Sequence, residues 1–162
     1  MPGLSKLRTF FLLLRKTMAP TVICGFPGIG KSFLSKKNGW NDSDSSNFSW
    51  TSPGIRNPLF PTNYIEHIRS IDGVVLASSH KVVRDALAES SIPFWICYPF
   101  IECKGEYLER YRLRGSPESF LKLLENNWST WIKEMEQESR CSGRIVLNPG
   151  QYISDVLTLN SV

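Results

Sequence analysis

Much that would assign a chemistry at a glance is missing from this chain. Four cysteines, Cys24, Cys97, Cys103 and Cys141, form no C-x-x-C pair and have no histidine at metal-ligand spacing. Reduced thiols are expected rather than zinc or disulfides, with Cys24 and Cys97 acting as small hydrophobes inside apolar runs. No apolar stretch approaches the roughly 18 residues of a membrane span, so no membrane association is expected. No acidic residue precedes Asp42, although seven Lys or Arg do. The net charge of +4 is therefore uneven: the remaining 12 basic residues are outnumbered by 15 acidic ones. A mildly acidic body gives charge-based nucleic-acid binding no support.

The basic start reads as a separate piece. In residues 1–17, Phe10-Phe11-Leu12-Leu13-Leu14 lies between Lys6, Arg8 and Arg15-Lys16. The apolar part is too short for a secretory signal and lacks a small-residue cleavage site. The expectation is a loosely attached extension, a mitochondrial presequence, or a segment upstream of a start at Met18. Residues 18–162 are expected to form one domain, cytoplasmic unless the first 17 residues are a presequence.

Residues 25–32 read Gly25-Phe26-Pro27-Gly28-Ile29-Gly30-Lys31-Ser32, the full G-x-x-x-x-G-K-[ST] pattern of a P-loop, or Walker A motif. The context is the required one. Thr21-Val22-Ile23-Cys24 leads in as a strand and Ser32 to Lys37 leads out as a helix. Glycines let successive N–H groups turn inward around phosphate oxygens, and the helix N-terminus adds partial positive charge. The expected nucleotide-binding residues are Gly25, Pro27, Gly28, Ile29, Gly30, Lys31, Ser32 and Phe33. Lys31 reaches the β- and γ-phosphates, and Ser32 ligates Mg²⁺.

Strand and helix patterns then alternate. After the helix at 31–37, residues 38–63 read mostly as loop, with a short strand near Trp40. Asn63 is expected to cap a helix bearing Tyr64, Ile65, Ile68 and Ile71. Gly73 to Ser78 is a continuous apolar run, the mark of a parallel strand buried on both faces. Ser79 is expected to cap the next helix, burying Val82, Val83, Ala86 and Leu87. Phe94 to Tyr98 is a strand stopped by Pro99, and a helix at 104–114 follows. Ser116-Pro117 opens a long helix carrying Phe120, Leu121, Leu124, Trp128, Trp131, Ile132 and Met135 at helical spacing. Arg144 to Leu147 is the last strand, and Tyr152 to Leu157 marks the last helix. This order predicts a doubly wound α/β domain with a mostly parallel sheet of about five strands.

Ligands in such sheets bind at the carboxyl ends of the strands. After the second strand stand Asp42 and Asp44, two residues apart and so directed the same way if extended. Either suits accepting a proton from an attacking hydroxyl or binding Mg²⁺. Both are candidate catalytic groups, and Asp44 is placed with Ser32 as a metal ligand. The third strand ends in Ser78-Ser79-His80-Lys81, with no Walker B aspartate; Asp72 lies at the wrong, amino end. His80 and Lys81 read as solvated first-turn residues. Arg110 and Arg114 share a helical face, and arginine forks suit a transferring phosphoryl group. They are expected in a ligand-closing lid. Asn148 to Tyr152 is where a nucleotide base can rest, and Trp40 and Trp50 flank the acidic loop.

The P-loop variant, with Asp42-Ser43-Asp44 and the arginine stretch, resembles small nucleoside, nucleotide and polynucleotide kinases of the P-loop superfamily. The whole chain is also similar to small fungal and phage members of that superfamily. The resemblance implies a three-layer α/β/α P-loop NTPase fold and a kinase using ATP and Mg²⁺ on a nucleoside, nucleotide or other small acceptor; a nucleic-acid end is the acceptor that charge does not support. It implies triphosphate ligands at Lys31 and Ser32, a base at Asp42 or Asp44, and lid arginines at 110 and 114. The Asp-Gly-x-Pro-Arg element of adenylate kinases is absent, since Asp72-Gly73 continues as Val74-Val75. Two alternatives stay open: a nucleoside triphosphate hydrolase, and a binding module without turnover. No N-K-x-D occurs for guanine specificity, and no strand-end Asp-Glu pair for a mechanical ATPase.

Overall fold

The computed structural model describes residues 19–157, so the expectations for residues 1–17 lie outside the described part. Strand β1, Thr21–Gly25, runs through the centre of the core with Val22, Ile23 and Cys24 fully buried. Helix α1 follows at Lys31–Asn38, ended by Gly39 in the left-handed conformation. Strand β2 is Asn41–Ser43. The stretch expected to be mostly loop then holds small elements: a helical turn α2, Ser46–Ser49, and a hairpin of β3, Trp50–Ser52, with β4, Ile55–Arg56. Their shortness hides them from any periodicity test. Helix α3, Thr62–Arg69, precedes β5, Val74–Ser78, and α4, Lys81–Glu89. Strand β6, Phe94–Pro99, leads through a single 3₁₀ turn into α5, Lys104–Leu113, and then α6, Glu118–Glu136. Strand β7, Gly143–Leu147, and the short α7, Ile153–Val156, complete the described chain.

The main sheet has the order β2-β5-β1-β6-β7, and every neighbouring pair is parallel. With its flanking helices it fits a three-layer α/β fold. From β1 the chain goes first to the edge at β2, returns to β5 beside β1, then crosses to β6 and β7 on the other side. The reversal falls at β1, where ligands of open α/β sheets collect at the strands' carboxyl ends. Strand β5 is buried at all five positions, as its unbroken apolar run requires.

Helix starts depart from the sequence reading. Asn63 does not cap α3; the cap position is Pro61, while Asn63 Nδ2 donates to the Phe48 carbonyl at 3.0 Å. Ser79 does not cap α4 either. His80 holds that position, and the Ser79 carbonyl accepts from Arg84 Nε at 2.9 Å. On α4 the buried face is Val83, Arg84, Ala86 and Leu87, and Val82 is exposed. Pro99 lies within β6 rather than after it, and Pro117 is the cap of α6 rather than its first helical residue.

The long helix α6 buries Leu121, Leu124, Trp128, Ile132 and Met135 as its spacing predicts. Trp128 is the largest fully buried side chain, and its Nε1 donates to the Ile101 carbonyl at 2.7 Å. Phe26 stands edge-on to it, with ring centroids 5.2 Å apart. Trp128→Ala removes this packing and orphans the carbonyl; a loss of about 3–5 kcal/mol is expected, read from the urea midpoint.

Candidate functional site

The loop from β1 to α1 is held open by its glycines. Gly28 and Gly30 have φ of 85° and 93°, a region that side chains rarely adopt. A Cβ on Gly25 would come 2.7 Å from Ile29 Cδ1 and 2.8 Å from Lys31 Cδ, so the lysine stem needs glycine beneath it. Two ties fix the loop from below. The Phe26 N–H donates to the Cys97 carbonyl at 2.9 Å, and Ile153 N–H donates to the Ile29 carbonyl at 2.8 Å.

The backbone N–H groups of residues 28–33, by contrast, find no acceptor among the described residues. The first N–H groups of a helix have no partner within it. A row of free donors at the start of an eight-residue helix, on an αL-bearing loop, makes a concave anion site. Lys31 is half-buried, and its Nζ donates to the carbonyls of Gly25 at 2.8 Å and Phe26 at 3.3 Å. Loss of hydration lowers its pKa, against the opposing pull of Asp42. An ammonium kept partly desolvated gains from an arriving polyanion.

Strand β2 brings the acidic pair to this place. Asp42 Oδ2 accepts from Ser32 Oγ at 2.6 Å, joining the last motif residue to the second strand. Asp44 is near enough to influence both Lys31 and His80, and its Oδ1 accepts from the Ser46 N–H at 2.9 Å. The carboxylate in contact with Ser32 is thus Asp42, where the sequence reading put Asp44 with Ser32. The residues fit a hydrated Mg²⁺: a hydroxyl and a carboxylate already within a hydrogen bond of each other, beside free phosphate donors. Ser78 is buried, and its Oγ accepts from the Ser45 N–H at 3.0 Å, anchoring the acidic loop to β5. His80 has its pKa lowered by burial first and by the Lys31 charge second.

The two arginines of α5 part company. Arg110 is only 10% exposed. Its Nη1 donates to the Gly28 carbonyl at 2.8 Å and its Nη2 to the Gln151 carbonyl at 2.9 Å. The guanidinium is stacked between the rings of Tyr107 at 4.3 Å and Tyr152 at 3.8 Å. Glu106 Oε1 also accepts from the Gly150 N–H at 2.6 Å. This half of α5 is riveted to the P-loop and to the turn after β7. Arg110 therefore holds the loop rather than closing over it. Arg114 is exposed at the end of α5, 5.2 Å from the Tyr111 ring, and is free to meet a ligand.

The contrast is testable. Arg110→Ala strips two charge-assisted bonds from half-buried carbonyls and should cost about 2–4 kcal/mol, seen as a lower urea midpoint. Arg114→Ala should leave that midpoint within about 0.5 kcal/mol.

Other participants escaped sequence reasoning. Phe26, a free position of the motif, is 1% exposed and packs on Tyr107, Trp128 and Trp131. Tyr107 and Tyr111 lie against Gly28, and Tyr152 against Gly30. The i, i+4 spacing of Tyr107 and Tyr111 carried that signal, masked by the charges between them.

No protein-family model matches the chain, and no curated protein does. Solved structures do match it. One is an uncharacterized protein from Eubacterium ventriosum, 9% identical, with a TM-score of 0.49 over 86% of this chain and 94% of that one.

Proposed function

We propose that this protein is a P-loop kinase that transfers the γ-phosphoryl group of ATP to a small acceptor, with Mg²⁺. The observation that carries the reading is the loop of free N–H donors at the end of β1, with Lys31 beneath it and the Ser32–Asp42 pair at its far end. The reversal of strand order at β1 agrees with a nucleotide site there.

Each residue then has a task. The N–H groups of residues 28–33 bind phosphate oxygens, and Lys31 exchanges its two carbonyl acceptors for the β- and γ-phosphates. Ser32 and Asp42 hold Mg²⁺, which supplies charge neutralisation between the phosphates when bound. Asp44, just past the end of β2, receives the proton of the attacking hydroxyl. Arg110 keeps Gly28 in place, and Arg114 reaches the transferring group. The ring of Tyr152, 41% exposed at Gly30, offers the base of the donor a surface to stack on.

The direct test offers γ-labelled ATP and Mg²⁺ together with nucleosides, nucleoside monophosphates and 5′-hydroxyl oligonucleotides. Label on any acceptor supports the kinase. Phosphate release without transfer makes the protein a hydrolase, and nucleotide binding with neither makes it a binding module.

A further inference from the structure

Beside the P-loop lies a cleft of about 270 Å³, lined by Phe26, Pro27, Ser79, His80, Lys81, Arg84, Trp131, Glu134 and Met135. It opens between the start of α4 and the last third of α6, and its inner edge is the second and third residues of the motif. Its place relative to Lys31 is informative. The Lys31 ammonium points to the Gly25 and Phe26 carbonyls, so the end of a triphosphate that meets this lysine is the end next to the cleft. A group held there faces the phosphorus that is transferred.

The walls specify what can be held. Trp131 offers a half-buried flat apolar surface, backed by the buried Phe26 and Met135. The cations are already matched. Arg84, 4% exposed, has Nη2 3.6 Å from Glu134 and Nη1 3.7 Å from the buried Glu138. Lys81 is 2.7 Å from Asp85, and Arg140 shares both Asp85 and Glu138, so three cations face three carboxylates. Burial and the Lys31 charge hold His80 toward its neutral form. An anionic group would therefore find no spare positive charge, and would meet Glu134 at the rim. The volume is below the range of about 300–1,000 Å³ usual for drug-sized ligands, so it suits a small molecule better than a chain.

We infer that this cleft is the acceptor site, and that the acceptor is a neutral hydroxyl compound with a flat ring, of the nucleoside class, rather than a phosphorylated one. The inference rests on the kinase reading above. The ring lies against Trp131, with polar edges available to Ser79, His80 and Glu134. The acceptor hydroxyl oxygen bonds to the γ-phosphorus as the bridging bond from that phosphorus to the β-phosphate oxygen breaks. The electron pair of the broken bond leaves on the diphosphate, and the hydroxyl proton passes to the Asp44 carboxylate.

The test uses the full chain with γ-labelled ATP and Mg²⁺. Each nucleoside is compared with its own 5′-monophosphate, and ATP affinity is measured separately by calorimetry. Transfer should favour one or more nucleosides over the matching monophosphate by at least about tenfold in kcat/KM. Trp131→Leu should raise the acceptor KM about tenfold or more while leaving ATP affinity within about twofold. Trp131 also packs on Phe26, so Glu134→Gln gives a second reading: it should narrow the preference for nucleoside over monophosphate. Preferred transfer to monophosphates or oligonucleotides overturns the inference. So does an unchanged acceptor KM in Trp131→Leu, or ATP binding with no transfer to any nucleoside. Failure to bind ATP at all overturns the kinase reading itself, and the acceptor assignment with it.

Discussion

Lys31→Ala is expected to lower phosphoryl transfer by about 10²–10³-fold, the usual cost of removing one preorganised charge from a developing anion. The fold should survive. Lys31 makes its hydrogen bonds to two carbonyls of its own loop, and its partial desolvation works against the charged form. The urea midpoint should therefore move little. Lys31→Arg should not restore activity. The stem crosses Gly25 so closely that a Cβ there would stand 2.8 Å from Lys31 Cδ, and a planar guanidinium cannot take the place of a compact ammonium. Single-turnover transfer by the two variants, beside their urea curves, separates a lost charge from a lost fold.

The second large effect divides the acidic pair. Asp44→Asn should cut transfer by about 10²–10⁴-fold, as expected for loss of a positioned base, with ATP–Mg²⁺ affinity nearly unchanged. Asp42→Asn should instead raise the Mg²⁺ concentration for half-maximal activity by about 10–100-fold, because it removes the carboxylate paired with Ser32 at 2.6 Å. Magnesium titrations of both variants check this. If Asp42→Asn abolished transfer at saturating Mg²⁺ while Asp44→Asn shifted the metal requirement, the two roles would be exchanged.

The parts of this site legible in the sequence are those with a local cause. The strand-to-helix turn at Gly25 to Ser32 could be read because the positive φ of Gly28 and Gly30 calls for glycine. The all-buried β5 was legible because a strand covered on both faces needs an unbroken apolar run. What depended on distant neighbours was hidden. Nothing adjacent to Arg110 shows that its guanidinium meets Gly28, 82 positions away, between two tyrosine rings. The same holds for the choice of Asp42 over Asp44 as the partner of Ser32, since the parity of an extended segment would place both on one side, but β2 ends at Ser43 and Asp44 turns back to the Ser46 N–H. Ser79 reads as a helix cap because serine usually serves as one. Its carbonyl is instead taken by Arg84, whose burial against Glu138 is a tertiary fact. The cleft arises from α4 and α6, about fifty residues apart in the chain, and no single segment announces it.

The central claim is that the loop between β1 and α1 binds a nucleoside triphosphate. Thermal unfolding with and without ATP–Mg²⁺ tests it most directly, because any ligand that binds only the folded state stabilises it by mass action, about 2.7 kcal/mol at a hundred times Kd. The account predicts a higher Tm for the full chain at millimolar ATP–Mg²⁺, and a much smaller rise for Lys31→Ala. A Tm unmoved by millimolar ATP or GTP, with or without Mg²⁺, would contradict it.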